Sequence, residues 1–359
     1  MLKDAVDLAR LNRALVIKLR YHGDVLLTSP VFTVLKNRAP HLEVDALVYR
    51  GTEDMLTGHP AIRQVYTIDR GWKKQGPVGH LRKEIRLLRE LRARHYDLLI
   101  HLTESSRGAW LAHLLGPEFS VVRDYAPRRG KTWHAAFSHR YRVPAKPRHT
   151  VEIHLDALRR LGIQPRTDER RLVLYAGNEA EQSVRELLRT HNLMPGGYIH
   201  FHPTSRWLFK CWDADKCAEL INRLHDEGLR VVLTAAPDET ERQYIGRILP
   251  KLRRPTVDLT GRLSLKQLAA LTAQAKCFVG VDSVPMHIAA AMQTPVVALF
   301  GPSGDLEWGP WMVKSRVLTS NHSCRPCGLD GCGQGKISEC LTTIPVDRVL
   351  GAVHELLKN

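Results

Sequence analysis

Short apolar runs recur along this chain, each followed by a helical pattern, and that alternation restricts the fold more than any other feature. In the first half the runs cover 14–19, 44–49 and 97–101. In the second they cover 171–175, 198–202, 230–235, 277–281 and 295–300. A continuous apolar run, unlike an alternating one, marks a strand buried on both faces. Strand, helix, strand order then gives parallel sheets with right-handed crossovers and helices on both sides.

A chain of 359 residues exceeds what one such core usually fills. The polar stretch 161–169, with Gly162 and Pro165, reads as the linker between two halves. The sequence therefore predicts an α/β protein of two domains, 1–165 and 166–345, each built on a parallel sheet, with a ligand cleft between them. A C-terminal helix over 346–359 is free to pack back on the first domain. Between the second and third runs a helix is predicted over 80–95. Its apolar line is Leu81, Ile85, Leu88 and Leu91, and its other face carries Arg82, Lys83, Arg86, Arg89 and Arg92 as a solvated surface.

The net charge is +16 and it is uneven. Residues 1–160 hold 29 Lys and Arg against 16 Asp and Glu, a net of +13. Such a half suits an anionic partner: nucleic acid, an anionic membrane face or a phosphorylated substrate. Aromatics make up 6% of the chain, and no nucleic-acid motif is present, which argues against nucleic acid. No apolar run approaches the roughly 20 residues that span a bilayer. The N-terminus lacks the apolar core of a signal peptide, so a cytoplasmic protein is expected.

Several motifs sit just past strand ends, where ligands bind in open α/β sheets. Gly23-Asp24 follows the first run; Gly23 permits a tight turn, and Asp24 fits either a catalytic carboxylate or a helix N-cap. After 198–202 come Thr204 and Ser205, then Lys210. The hydroxyls and the ammonium suit a phosphate, and the hydroxyls equally suit a cap. Asp282-Ser283 precedes Pro285 and His287; free amides in the first turn of that helix would attract a diphosphate, and Asp282 and Ser283 also fit simple caps. Glu239 stands where a carboxylate can accept both hydroxyls of a ribose. Cys324, Cys327, Cys332 and Cys340 lie close in sequence, but without the paired Cys-x2-Cys spacing of a structural zinc site; reduced loop cysteines fit better than zinc.

Taken in order, Gly23-Asp24-Val25-Leu26, His202-Pro203-Thr204-Ser205 with Lys210, Gly280-Val281-Asp282-Ser283 with His287, and Leu299-Phe300-Gly301-Pro302 resemble the lipopolysaccharide heptosyltransferases of glycosyltransferase family 9. The resemblance runs from about residue 14 to 355. The segment 206–210 and the late cysteines look most like the heptosyltransferase III branch; heptosyltransferase II or another family 9 enzyme is the alternative. The resemblance implies a GT-B fold, two Rossmann-like domains whose parallel sheets face a central cleft, and inverting transfer of L-glycero-D-manno-heptose from ADP-heptose to a heptose of the inner core. It implies Asp24 as base, with Gly23 beside the acceptor. It implies Thr204, Ser205 and Lys210 on the diphosphate and Glu239 on the ribose. Leu263, Asp282, Ser283, Val284 and His287 would line the rest of the donor site. Where the family often shows Asp-Thr-Gly-Leu-Ser-His, this chain has Asp282-Ser283-Val284-Pro285-Met286-His287. Val284 thus replaces a glycine, while Pro285 still supports a helix start.

One carboxylate suffices for such chemistry. A nucleoside diphosphate leaves as a stable anion, so the scheme needs a base for the acceptor hydroxyl but no acid, and it calls for no metal or cofactor. The acceptor would be a phosphorylated, lipid-anchored core oligosaccharide, which places the enzyme peripherally on the anionic inner membrane face. Arg50, Arg123, Arg128, Arg129 and Lys131 are the candidate contacts for that polyanion. The reading from another class, a protein that simply binds anionic surfaces or nucleic acid, leaves the second half unexplained.

Overall fold

The computed structural model describes residues 4–124 and 130–358. The chain divides into two compact units, Met1–Tyr175 and Ala176–Asn359. The first holds strands β1 (Arg13–Lys18), β2 (Glu43–Tyr49), β3 (Gln64–Ile68), β4 (Leu98–His101), β5 (Phe119–Arg123) and β6 (His139–Tyr141). Its helices are α1 (His22–Leu26), α2 (Ser29–Arg38), α3 (Gly76–Arg92), α4 (Ser106–Leu115), α5 (Lys131–Ala135) and α6 (Thr150–Arg160). The second holds β7 (Tyr198–His202), β8 (Arg230–Leu233), β9 (Val257–Asp258), β10 (Cys277–Val281), β11 (Val296–Leu299) and β12 (Ser315–Leu318). Its helices are α7 (Asn178–Thr190), α8 (Ala214–Asp226), α9 (Glu239–Ile248), α10 (Leu265–Ala273), α11 (Val284–Ala291), α12 (Asp305–Trp308), α13 (Glu339–Thr342) and α14 (Val346–Leu357).

Each unit is built on a six-stranded parallel sheet, ordered β3-β2-β1-β4-β5-β6 in the first and β12-β11-β10-β7-β8-β9 in the second. Both sheets are buried on both faces, which explains the unbroken apolar runs. In the first, Leu15, Ile17, Leu47, Leu99 and Val122 form one core with Leu87 and Leu91 of α3, Leu111 of α4, and Trp133. In the second, Ile199, Phe201, Val231, Val279 and Leu299 pack with α8, α9 and α14, while Phe278, Val296, Ala298 and Phe300 pack on the other face with Met286 and Ala289 of α11.

The unit boundary falls later than the predicted 165/166. Glu169, fully buried, accepts from Asn37 Nδ2 at 3.3 Å, and Val173 N donates to Ser29 Oγ at 3.0 Å; these bonds tie the supposed linker to α2. Residues 171–175 run beside that helix without joining a ladder, so the strand predicted there does not form. Helix α14 buries Val349, Leu350, Val353 and Leu356 against α8 and the neighbouring strands of its own unit. The predicted helix over 80–95 starts earlier, at Gly76, and is turned. Leu87 and Leu91 face the sheet, whereas Leu81 and Ile85 are exposed among the arginines.

Candidate active site

Both sheets have one place where the chain reverses its direction of winding: between β1 and β4 in the first unit, and between β7 and β10 in the second. Loops leaving the two strands there diverge and open a crevice at the carboxyl ends.

In the second unit, the loop after β7 ends in a 3-10 turn, Leu208–Lys210, and the loop after β10 starts at Asp282. Lys210 Nζ donates to Asp282 Oδ2 at 2.6 Å. Phe209, buried, is fixed from behind by Ser338, whose Oγ donates to its carbonyl at 2.6 Å. Ser283 occupies the N-cap of α11 but makes no capping bond; its Oγ donates back to Val281 O at 3.3 Å. The first-turn amides of α11 are therefore left without a side-chain cap beside Lys210 and Asp282. His287 is buried one turn on, and Val284 is half-buried. Leu263 is half-buried just before the capping box of α10, Ser264 with Gln267. Glu239 is exposed at the start of α9 past β8, with Gln243 Nε2 donating to it at 3.1 Å.

Thr204 corrects the sequence reading. It is fully buried, and its hydroxyl donates to Glu241 Oε2 at 2.6 Å, so it offers no proton to a ligand. Glu241 also accepts from Ala236 N at 3.0 Å and so joins the loops after β7 and β8. Neither Thr204 nor Ser205 caps the next helix, because Asp213 caps α8. Ser205 stays in the turn: Trp207 N donates to its Oγ at 3.4 Å, and its own N donates to Cys211 Sγ at 3.3 Å.

Beneath this loop runs a buried polar chain whose proton directions follow from its end. Thr272 Oγ1 donates to Leu268 O, so His200 Nδ1 must donate to Thr272. Thr234 then donates to His200 Nε2 and accepts from His202 Nδ1. Both rings are neutral; burial holds His200 well below its usual range and brings His202 down to about 3.

In the first unit, Asp24 lies in the first turn of α1, whose N-cap is Tyr21; Asp24 is thus not the cap. Its carboxylate is 3.8 Å from Lys18 Nζ at the end of β1. Lys18 is buried and donates to Leu102 O at 3.0 Å and to His154 Nε2 at 2.9 Å. His154 Nδ1 faces Leu27 O at 3.0 Å, so that nitrogen carries the proton and Nε2 is the acceptor. Burial, and then the Lys18 charge, hold this histidine neutral. Burial also lowers the Lys18 ammonium, and the Asp24 charge works against that. Gly23 is an ordinary helical residue of α1, buried rather than turned through a positive φ.

Arg50, past β2, stands 3.7 Å from Asp69, and Arg123, ending β5, is 3.3 Å from Glu104. Lys131 is exposed at the start of α5, while Arg128 and Arg129 lie outside the described residues. Cys340 is buried and Cys324 and Cys332 are exposed; among the described residues no group of three His, Cys, Asp or Glu side chains is placed to hold a metal. Sequence reading passed over Lys18, His154, Thr234 and Glu241. A lysine inside an apolar strand, and histidines alternating along β7, were the available signals.

The sequence profile of glycosyltransferase family 9 (heptosyltransferase) matches residues 84–337. Lipopolysaccharide heptosyltransferase 3 of Escherichia coli K12 is 33% identical over 94% of this chain and 96% of its own. A second E. coli protein of that name is 35% identical over 82% and 84%. Lipopolysaccharide heptosyltransferase 2 of Salmonella typhimurium is 26% identical over 97% of this chain and 99% of its own. A glycosyltransferase family 9 structure from Veillonella parvula superposes with a TM-score of 0.83 at 22% identity, covering 99% of both chains. The E. coli heptosyltransferase WaaC with ADP gives 0.72 at 22% identity, covering 96% of this chain and 99% of that one. The chain belongs to glycosyltransferase family 9, the heptosyltransferases.

Proposed function

We propose that this enzyme transfers L-glycero-D-manno-heptose from ADP-heptose to a heptose of the lipopolysaccharide inner core, as a heptosyltransferase 3 that adds the branch heptose. The greater identity to relatives of that name than to those named heptosyltransferase 2 favours this branch. The observation that carries the mechanism is Asp24. It is a carboxylate at the carboxyl edge of a switch point, free of capping duty and held near a buried cation.

The acceptor hydroxyl attacks the anomeric carbon from the face opposite the diphosphate. The new C–O bond forms as the bond to the β-phosphate oxygen breaks, ADP leaves, and the hydroxyl proton passes to Asp24. Lys18 stands beside the base, and His154 and the Leu102 carbonyl hold that lysine in place. Negative charge growing on ADP meets Lys210, Ser205 and the uncapped first turn of α11. Asp282 holds Lys210 in position until the donor enters. Glu239 accepts the ribose hydroxyls, with Leu263, Val284 and His287 along the donor. Gly23, Arg50, Arg123, Arg128 and Arg129 serve the phosphorylated acceptor. Because that acceptor is lipid-anchored, the enzyme works peripherally at the cytoplasmic membrane face; no described helix is long and apolar enough to cross a membrane. The test is transfer from ADP-heptose to core oligosaccharide lacking the branch heptose. Product bearing that heptose supports the assignment, and product only on acceptor lacking the second main-chain heptose overturns it in favour of heptosyltransferase 2.

A further inference from the structure

Helix α3 presents to solvent what a water-facing helix normally hides. Val78 is 73% exposed, Leu81 60% and Ile85 39%, and from α4 Trp110 at 67% and Leu114 at 37% border the same groove. At 100° per residue, Val78, Arg82, Ile85, Arg89 and Arg92 share one outward arc opposite the buried Leu87 and Leu91. Arg82, Arg89 and Arg92 have no acidic partner among the described residues. The two acids of the helix are already engaged: Glu84 with His80 and Arg107, Glu90 with Arg86.

Apolar side chains interleaved with unpaired arginines, plus an exposed tryptophan, suit the boundary between acyl chains and anionic head groups. There the arginine stems lie along apolar surface and their heads reach phosphate. A second copy of this face would set arginines against arginines, and a nucleic-acid backbone offers nothing to Val78, Leu81 and Ile85. Helix α4 leaves the sheet just after Leu102, whose carbonyl holds Lys18, so the face begins at the edge that carries the base.

We propose that the α3–α4 face is the surface by which the enzyme docks on a bilayer rich in anionic phospholipid. The inference takes its purpose from the lipid-anchored acceptor proposed above, but its test does not depend on that reading. The test is co-sedimentation of the full chain with phosphatidylcholine vesicles, with or without one-quarter phosphatidylglycerol. Wild type should bind only the vesicles containing phosphatidylglycerol. The pair Leu81→Ser and Trp110→Ser should weaken that binding by about tenfold or more, and Arg82→Glu with Arg89→Glu by at least as much. Melting curves and transfer to delipidated core oligosaccharide should stay unchanged. Wild type that ignores the anionic vesicles, or variants that bind them like wild type, overturn the proposal; capture of an acidic protein without vesicle binding does so as well. If vesicle binding behaves as expected while wild type fails to use delipidated core, the functional reading fails and the docking face stands.

Discussion

The ion pair between Lys210 and Asp282 makes opposite predictions for its two partners. The lysine is partly exposed and the carboxylate nearly buried, at 2.6 Å. If the donor diphosphate binds here, it takes over the lysine and must tolerate the carboxylate. Lys210→Met removes a charge-assisted hydrogen bond of about 1.5–3 kcal/mol, so ADP binding should weaken about 10- to 150-fold. Asp282→Asn removes a like charge close to the phosphates. At about 5 Å and an effective dielectric near 20, halved for screening, that is worth about 1–2 kcal/mol, and ADP should bind about five- to thirtyfold tighter. Calorimetric titration of ADP into wild type, both single variants and the double variant gives the coupling directly. The effects should shrink as salt is raised. Lys210→Met binding ADP as wild type does, or Asp282→Asn weakening it as much as Lys210→Met, refutes this placement of the diphosphate.

Lys18→Met should lower kcat about tenfold or more while leaving ADP affinity intact, since Lys18 acts on the base and not on the donor; a loss confined to ADP affinity would contradict that role. Stability should fall steeply in mild acid. His59 sits at about 4 and His101 and His202 at about 3, all lowered by burial from 6.5, with His154 and His200 lowered too. The unfolded chain takes up protons that these folded-state rings refuse. Their contribution is therefore complete above about pH 6.5 and is lost as pH falls toward 4, at about 1.4 kcal/mol per ring per pH unit. A denaturant midpoint that holds steady from pH 7 to about 5 would show that these rings are not buried and neutral.

The fold was legible because sheets buried on both faces write themselves as unbroken apolar runs: β1, β2, β4, β7, β8, β10 and β11 all lie within the predicted strands or a residue beyond them. The edge strands β3, β6, β9 and β12 were missed because they are short or half-exposed and carry polar residues; β5 was missed because Ser120 and Arg123 break its run. Position past a strand end singled out Asp24, Lys210 and Asp282 as candidates. It could not tell that Thr204 would be spent on Glu241, a partner 37 positions away. Nor could it find Lys18 or His154, whose meaning depends on contacts between β1, β4 and α6. Helical periodicity located α3 but not its orientation, because its apolar stripe is wider than the strip of sheet it covers.

The proposed mechanism depends on Asp24 taking the acceptor proton. Asp24→Asn keeps the shape of the site and removes the base. Measured together, ADP-heptose affinity and single-turnover transfer to core acceptor decide the matter. Donor binding should stay within about twofold of wild type, with transfer slowed by about 100-fold or more. Transfer at close to the wild-type rate would contradict it.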